Sequence, residues 1–227
     1  MDDYSVFLKY FGKKFNNFSN CIKNHKDKRF VFNETIDGEI YFIKKYSLTN
    51  RRGIATALKI REDKADHYAK ISKKLMKIGV SHAEPLCICK KRFSLLKIES
   101  LLITKYCGVT IDKYIDKFKE HIDKFKCFYN IFIKLTQNKI YIEDYNFGGM
   151  TFDNDSKYFL LDLDEYRIKL VLTSKYKQYM ILKLWRNCAK IREKNEEFYK
   201  FASMEVRRVV KELGWEKEIH IDDFKYI

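Results

Sequence analysis

The chain has 227 residues, of which 46% are hydrophobic and 16% aromatic, so it can bury a sizeable core in one large domain or in two closely packed lobes. One proline and eight glycines exclude collagen-like, linker-rich and low-complexity classes. The 46 lysines and arginines against 31 aspartates and glutamates give a formal charge of +15, which either favours an anionic partner or reflects lysines at solvated positions.

Two features of the sequence predict the location of the chain and the state of its cysteines. It has no apolar run long enough to span a bilayer, and its first residues lack the order of a signal peptide, so we expect a cytoplasmic protein. Cys87 and Cys89 would share one face of a strand and could suit a metal, but no second Cys or His pair lies at ligand spacing, which favours burial. All six cysteines are expected to be reduced core residues: Cys21, Cys87, Cys89, Cys107, Cys127 and Cys188.

The first half of the sequence predicts an antiparallel sheet with one helix. Residues 29–46 form two β-rich runs around Asp37-Gly38, which is a strong hairpin signal. Residues 58–78 carry apolar side chains at helical spacing, and Gly79 ends that helix. Further strand-like runs are Pro85–Cys89, Phe93–Ile98 and Leu101–Tyr106. Residues 1–107 are therefore predicted to form a sheet lobe.

The second half, residues 108–227, is predicted to be a mainly helical lobe. Residues 111–137 have helical periodicity, and residues 140–149 form a polar, glycine-containing loop. The remaining predicted elements are a hairpin of Met150–Phe152 with Tyr158–Leu161 and two basic helices, Lys175–Lys194 and Glu196–Leu213. Together the two halves predict an α+β fold.

Three residues occur in the order that phosphoryl transfer requires, which is a lysine for the phosphates, a carboxylate for the acceptor hydroxyl and an oxygen ligand for magnesium. Lys44 ends a hairpin strand, Asp144 lies in the loop before the second hairpin, and Asp162 follows that hairpin in an Asp-x-Asp element. Singly, each fits a strand end, a turn or a helix cap. Their joint order favours a two-lobed protein-kinase-like fold.

Several segments resemble the lipopolysaccharide core heptose kinases and the related Kdo kinases. They are the strand with Lys44, residues 64–71, residues 78–86 and residues 182–187, within a likeness that covers about residues 30–195. The resemblance implies a cytoplasmic enzyme, peripheral at the inner membrane, that transfers the γ-phosphate of ATP to a sugar hydroxyl of the lipid-linked core. The positive charge suits such an anionic partner.

The resemblance also implies roles for individual residues. Lys44 would bind phosphates, Asp144 would be the catalytic base, Asp162 would hold Mg²⁺, and Tyr106 would contact the nucleotide. It favours Asp66 as the carboxylate that pairs with Lys44. Helical geometry, however, places Asp66 away from the apolar stripe of its helix and Asp63 nearer the edge of that stripe.

Three positions depart from the usual kinase pattern. The turn at residues 33–38 has a single glycine instead of a glycine-rich phosphate loop, and Ile142 replaces the histidine two residues before the base. Gly149 stands where the second metal-binding asparagine is expected. Either Asn146 or Asp164 replaces that ligand, or one metal is bound, or catalysis is weak.

These departures leave alternatives open. The chain could be a catalytically inactive, kinase-like binding protein, or a kinase for a soluble small-molecule acceptor. A basic nucleic-acid-binding protein is a further alternative, because lysines and arginines alternate with aromatics over residues 167–211. We expect no specific nucleic-acid partner, since the sequence lacks helix-turn-helix, zinc-finger and RNP-like signatures.

Overall fold

A computed structural model describes residues 4–13, 21–25, 29–94 and 96–221. The chain divides into two units. The first comprises Met1–Lys74 and Ala83–Tyr106, and the second comprises Leu75–His82 and Cys107–Ile227. The first unit is built on an antiparallel sheet and the second is mainly helical, so the predicted α+β class is confirmed.

The sheet of the first unit has five antiparallel strands in the order β1-β2-β3-β5-β4. The strands are β1 (Cys21–His25), β2 (Arg29–Ile36), β3 (Glu39–Thr49), β4 (Pro85–Ser94) and β5 (Lys97–Lys105). Asp37 and Gly38 join β2 to β3 with φ values of 51° and 80°. A two-residue turn with two positive φ angles matches the twist of a hairpin, so the hairpin prediction is confirmed.

Strand boundaries after residue 85 differ from the prediction. The predicted strand Phe93–Ile98 lies across the turn between β4 and β5, in which Ser94 pairs with Lys97. Two long strands therefore replace the three short ones. The basic run Lys90-Lys91-Arg92 lies on an exposed stretch of β4, where charged side chains meet solvent.

Helices of the first unit are a 3-10 helix (Tyr4–Tyr10), α1 (Asn50–Ala57) and α2 (Lys64–Lys77). The prediction of one helix over residues 58–78 was wrong at its start and missed α1. Asp63 caps α2 by accepting a hydrogen bond from the Ala65 N–H at 2.8 Å. At Gly53 of α1, a Cβ would lie 2.4 Å from the Leu96 main-chain oxygen, so the packing requires glycine.

The two faces of the sheet have different partners. One face packs against the N-terminal 3-10 helix in a cluster of Phe7, Tyr10, Phe30, Phe32, Ile43, Leu101 and Ile103. The other face carries the buried Lys44, whose Nζ lies 5.2 Å from the ring centroid of Tyr68 on α2. Because side chains alternate along a strand, Lys44 and Lys45 point to opposite faces.

The second unit contains two small sheets, β6-β8-β9 and β7-β10. Its strands are β6 (Val109–Thr110), β7 (Ile140–Ile142), β8 (Met150–Phe152), β9 (Tyr158–Leu160) and β10 (Tyr166–Ile168). Its α-helices are α3 (Ile122–Gln137), α4 (Ser174–Ala189) and α5 (Glu196–Glu212), with 3-10 helices at Ile111–His121, Phe147–Gly149 and Leu163–Glu165. The predicted hairpin of β8 and β9 is confirmed. Both predicted C-terminal helices are present, but α4 ends at Ala189 instead of Lys194 and α5 at Glu212 instead of Leu213.

Two predictions for the second unit need correction. The helix predicted over residues 111–137 begins as a 3-10 helix and breaks at Lys117 (φ −116°, ψ 32°), so that α3 starts at Ile122. Residues 140–149, predicted as a loop, begin with β7, which pairs with the equally unexpected β10. Three-residue strands carry little local pattern, because a partner distant in sequence fixes them.

An aromatic core supports the loop after β7. The ring of Tyr145 stacks on Phe128 of α3 with centroids 4.3 Å apart, and Phe147 lies 4.7 Å from the same ring. Phe198 of α5 contacts Phe147 edge to face at 5.5 Å. The loop between β7 and β8 is thus anchored to α3 and α5 by buried rings.

The cysteines are less uniformly buried than predicted. Cys188 is buried, but Cys87, Cys89, Cys107 and Cys127 are half-buried; all five are free thiols, and the side chain of Cys21 lies outside the described residues. Cys87 and Cys89 do share a face of β4, with their sulfurs 3.2 Å apart. Among the helices of the described residues, none is both long and apolar enough to cross a membrane.

Candidate active site

The segments that contain Asp144 and Asp162 are connected to the same end of the small sheet formed by β7 and β10. Ile142, the last residue of β7, pairs with Tyr166, the first residue of β10. Asp144 follows β7 by two residues, and Asp162 precedes β10 by four. The Glu143 N–H also donates to the Glu165 main-chain oxygen at 3.1 Å, so backbone hydrogen bonds hold the two segments together.

Asp144 is an exposed carboxylate held by its own loop. Its Oδ1 accepts a hydrogen bond from Asn146 Nδ2 at 2.9 Å. This bond restricts the rotation of both side chains and leaves the second carboxylate oxygen of Asp144 for another partner. The predicted base and the predicted metal ligand Asn146 are therefore direct neighbours.

Tyr166 interacts electrostatically with both Asp144 and Asp162. The side chain is buried, and burial, followed by the charges of Asp162 and Asp144, raises the pKa of its hydroxyl well above the usual value. Both carboxylates therefore lie within electrostatic reach of one buried phenol, which remains protonated. Sequence analysis did not single out Tyr166, although its position two residues after the Asp-x-Asp element was a signal. We call Asp144, Asn146 and Asp162 the Asp144 cluster.

The two aspartates of the Asp-x-Asp element differ in accessibility. Asp162 is exposed and has left-handed backbone angles (φ 53°, ψ 46°), which aspartate tolerates better than most residues. Asp164 is only 1% exposed, and its main-chain oxygen accepts a hydrogen bond from Arg167 at 2.7 Å. Asp162 is accordingly the more accessible candidate for a metal or phosphate, and strained backbone is common at functional sites.

Tyr145, the residue after Asp144, is fixed from two sides. Its hydroxyl donates to the Phe128 main-chain oxygen at 2.7 Å, and its own main-chain oxygen accepts a hydrogen bond from Asn187 Nδ2 at 2.5 Å. Asn187 lies in the α4 segment that carried part of the family resemblance, but sequence analysis gave it no role. The position of Asp144 thus depends on contacts from α3 and α4.

Oxygen donors at this site fit a hard cation such as Mg²⁺. A Cβ placed on Gly149 would lie 3.9 Å from Asn146 Oδ1, so this amide oxygen adjoins the position where kinases carry their second metal-binding asparagine. Asp162 and Asn146 are the residues that could hold such an ion. In the described part of the chain, no group of three or more His, Cys, Asp or Glu side chains is arranged to hold a metal by itself.

The predicted nucleotide-binding residues lie in the first unit. Lys44 was predicted to end its strand, but β3 continues to Thr49, so Lys44 occupies the middle of β3 and pairs with Val31 on β2 and Leu102 on β5. Tyr106 is exposed just after β5; its ring stacks on Phe42 at 5.9 Å, and its N–H donates to the Ile40 oxygen. A lysine at the centre of the sheet is fixed by its neighbours, whereas Tyr106 presents an aromatic face at the end of the sheet.

The structure gives Asp63 and Asp66 different surroundings. Asp63 is buried, caps α2 and accepts a hydrogen bond from Ser100 Oγ at 3.1 Å. Asp66 is exposed and forms an ion pair with Lys90 of β4. It lines a cavity of about 640 Å³ together with basic side chains, among them Arg61. The assignment of Asp66 to Lys44 stays a prediction.

The fold of the chain resembles a known structure. No protein-family model and no curated protein matches the sequence. The fold is similar to that of the solved structure "WaaP in complex with acyl carrier protein", with a TM-score of 0.52 over 86% of this chain and 90% of that chain. The sequences are 8% identical, so the likeness shows the fold alone. The fold is WaaP-like and kinase-like.

The local geometry defines what the second unit can do chemically. An exposed carboxylate, oriented by an amide, and a second exposed carboxylate on a strained turn lie within electrostatic reach of the same buried phenol. Such a group can accept a proton from a hydroxyl, and its neighbour can bind a cation. WaaP supplies no residue roles by itself, so the chemistry rests on the residues of this chain.

Proposed function

We propose that the protein is an ATP-dependent kinase that phosphorylates a sugar hydroxyl, of heptose or Kdo, in the lipopolysaccharide inner core. The observation that carries this proposal is the Asp144 cluster, in which Asp144 bonds to Asn146 and shares the surroundings of Tyr166 with Asp162. The kinase-like fold supports the reaction class. The sequence resemblance to heptose and Kdo kinases supports the acceptor class.

Asp144 is assigned to the acceptor hydroxyl. The hydroxyl oxygen forms a bond to the γ-phosphorus of ATP, the bond between that phosphorus and the bridging oxygen breaks, and ADP leaves with the electron pair. The proton of the hydroxyl passes to the Asp144 carboxylate. Asn146 holds this carboxylate through the 2.9 Å hydrogen bond, so that one oxygen faces the acceptor.

Mg²⁺ would be held by Asp162 with Asn146, and Asp164 would contribute if its buried side chain turned toward the ion. Bound Mg²⁺ neutralises charge on the triphosphate. Asn146 is assigned as a replacement for the ligand lost at Gly149, because its amide oxygen adjoins that position. The chain can therefore keep the amide ligand of kinases while placing it three residues earlier.

The first unit is assigned to ATP. Lys44 would contact the phosphates, because it is a cation fixed by strands on both sides. Tyr106 would contact the nucleotide through the aromatic pair that it forms with Phe42. Asp66 would support Lys44 after leaving Lys90, a rearrangement that its exposed position allows.

The acceptor assignment also agrees with the charge of the chain. Lipopolysaccharide core sugars are attached to lipid in an anionic leaflet, and a formal charge of +15 favours contact with such a surface. A kinase for a soluble acceptor would not need this excess. We therefore propose peripheral contact with the inner membrane and a cytoplasmic location.

A second candidate is a kinase-like protein that binds a nucleotide or glycolipid without catalysis. Two observations favour it: Gly149 lacks a side-chain oxygen, and the turn between β2 and β3 has only two residues, so no glycine-rich loop covers phosphates there. Such a protein would bind ligands but transfer no phosphate.

Calorimetry and transfer assays on the purified chain separate these candidates. ATP binding is measured with and without Mg²⁺, and ³²P transfer from γ-labelled ATP is measured with core oligosaccharide and, in parallel, with free amino sugars and choline. A kinase of the lipopolysaccharide core requires Mg²⁺-dependent binding and label in the core oligosaccharide. Binding without transfer supports the second candidate, and label only in the free compounds contradicts the proposed acceptor.

A further inference from the structure

An exposed apolar segment follows β10 in the second unit. Residues 168–173, here called the apolar tip, read Ile-Lys-Leu-Val-Leu-Thr. Leu170 is 90% exposed and Val171 is 66% exposed, and Leu170 is the most exposed large apolar side chain of the described residues. Single exposed apolar residues are ordinary, whereas contiguous exposed apolar surface marks contact sites as it grows larger.

The base of the apolar tip is fixed, so its exposure is a property of the fold. The Lys169 N–H donates to the Lys139 main-chain oxygen at 2.9 Å, and Lys169 Nζ donates to the Tyr176 hydroxyl at 3.0 Å. Lys169 Nζ also lies 4.5 Å from the ring centroid of Tyr176. These contacts hold the loop on both sides while Leu170 and Val171 extend beyond it.

Lysines border the apolar tip. From Tyr166 to Lys177 the sequence contains four lysines and arginines, of which Arg167 and Lys177 pair with Glu165 and Glu218, which leaves Lys169 and Lys175 as the cations of this segment nearest the tip. Lys139 and Lys175 are exposed on either side of the tip. An apolar end bordered by cations matches a bilayer with an anionic surface, in which acyl chains lie beneath negative headgroups.

We infer that the apolar tip inserts Leu170 and Val171 into an anionic phospholipid bilayer. The size of the surface favours a bilayer over a protein, because a stable protein interface buries about 800 Å² on each partner, far more than two side chains offer. A bilayer has no such minimum, since each inserted side chain contributes separately. Lysines at the base would remain with the headgroups.

The purpose of this membrane insertion rests on the proposed function. β10 runs from Tyr166, beside the Asp144 cluster, to Ile168, where the apolar tip begins. The cluster and the tip are therefore joined by one short strand of about 7 Å. Insertion of the tip would keep the Asp144 cluster near the membrane surface, where the sugars of a lipid-linked acceptor lie.

Vesicle sedimentation of the full chain tests the inference. Wild type is expected to bind vesicles of phosphatidylglycerol and phosphatidylcholine more tightly than pure phosphatidylcholine, and L170S/V171S is expected to bind the anionic vesicles about a hundredfold more weakly. M204S is the matched control, because Met204 is 70% exposed on α5, and it should bind like wild type. Equal binding by L170S/V171S and wild type would overturn the inference.

Two further measurements complete the test. Brominated acyl chains should quench the fluorescence that V171W gains over wild type, which contains Trp185 and Trp215, and should not quench the fluorescence that M204W gains; equal quenching contradicts insertion. L170S/V171S should phosphorylate free core oligosaccharide at the wild-type rate and membrane-embedded acceptor more slowly. If wild type phosphorylates neither acceptor, the proposed function fails, whereas the vesicle and quenching results still decide on the apolar tip.

Discussion

The side-chain amide of Asn187 on α4 donates a hydrogen bond of 2.5 Å to the main-chain oxygen of Tyr145, the residue that follows Asp144. This contact joins positions 42 residues apart and fixes the loop in addition to the stacking of the Tyr145 ring on Phe128. Asn187 has no contact with Asp144 itself. We therefore regard it as a positioning residue whose effect on catalysis is transmitted through the loop backbone.

N187L should lower kcat for core oligosaccharide by about 10- to 100-fold, because small displacements of a reacting group have effects of that size. KM for ATP should change little, since the predicted nucleotide contacts lie in the first unit. Q178L is the matched control, because Gln178 on the same helix donates to the main-chain oxygen of Glu218, far from the loop in sequence. A fall in the melting temperature with unchanged kcat would show that Asn187 is only structural.

Gly149 offers a test of the metal assignment. Its backbone is not in the positive-φ region, and a Cβ there would make an ordinary contact of 3.9 Å with Asn146 Oδ1, so asparagine fits. G149N should leave the melting temperature nearly unchanged and lower the Mg²⁺ concentration required for half-maximal transfer, since it adds an oxygen ligand. If Asn146 replaces the lost ligand, N146A should raise the Mg²⁺ concentration required for half-maximal transfer and G149N/N146A should lower it again; an equal Mg²⁺ requirement of N146A and G149N/N146A contradicts that assignment.

A buried ion pair connects the N-terminal segment to the sheet. Lys45 Nζ lies 2.9 Å from Glu99 Oε2, and both side chains are almost completely buried. Lys45 also donates to the main-chain oxygens of Tyr10 and Lys13 at 2.9 and 2.7 Å. Burial lowers the pKa of Lys45, whereas hydrogen bonding lowers that of Glu99. The three short oxygen contacts of Nζ favour the charged lysine, so we treat both groups as ionised.

E99Q should lower the free energy of unfolding by about 3–5 kcal/mol, because it leaves the Lys45 charge buried without its counter-ion. E39Q is the control, since Glu39 forms an exposed pair with Lys105 at 3.2 Å and such pairs contribute about 0–1 kcal/mol. Urea denaturation of both variants measures the difference. Equal stability of E99Q and E39Q would contradict a structural role for the buried pair.

The same glutamate predicts how stability depends on pH. Burial alone would raise the pKa of Glu99, but hydrogen bonds from the Gly12 N–H, Lys45 and Lys97 outweigh burial and hold it below the usual value. Because its pKa is lower in the folded state, Glu99 contributes stability above its unfolded-state pKa of about 4.3. This contribution is lost as the pH falls through the folded-state pKa. As the pH falls below about 4, the free energy of unfolding of wild type should therefore decrease more steeply than that of E99Q. Parallel curves would contradict this attribution.

Local sequence patterns were sufficient to predict the elements whose turn residues or hydrophobic periodicity lie within the element itself. Asp37-Gly38 predicts its turn because positive φ at both positions suits these residues, and the stripe that includes Tyr68 and Ile71 predicts α2. The order of Lys44, Asp144 and Asp162 was sufficient for the fold class, although only the two aspartates stand between elements and Lys44 lies in the middle of β3. The roles of these residues stay predictions.

Features fixed by distant partners could not be predicted. β7 and β10 have three residues each and exist because they pair with one another. The raised pKa of Tyr166 depends on its burial and then on two carboxylates whose segments that pairing holds together. The contact from Asn187 to Tyr145 and the pair of Lys45 with Glu99 likewise join residues more than 40 positions apart, and no local periodicity encodes them.

The most direct test of the central claim is the rate of γ-phosphate transfer from ATP to core oligosaccharide by wild type, D144N and D155N. Asp155 is an exposed aspartate of the turn between β8 and β9, so D155N removes the same charge outside the Asp144 cluster. We predict transfer by wild type and D155N at similar rates and a reduction of at least about a hundredfold in D144N, with melting temperatures unchanged. Equal rates for D144N and wild type would contradict the account.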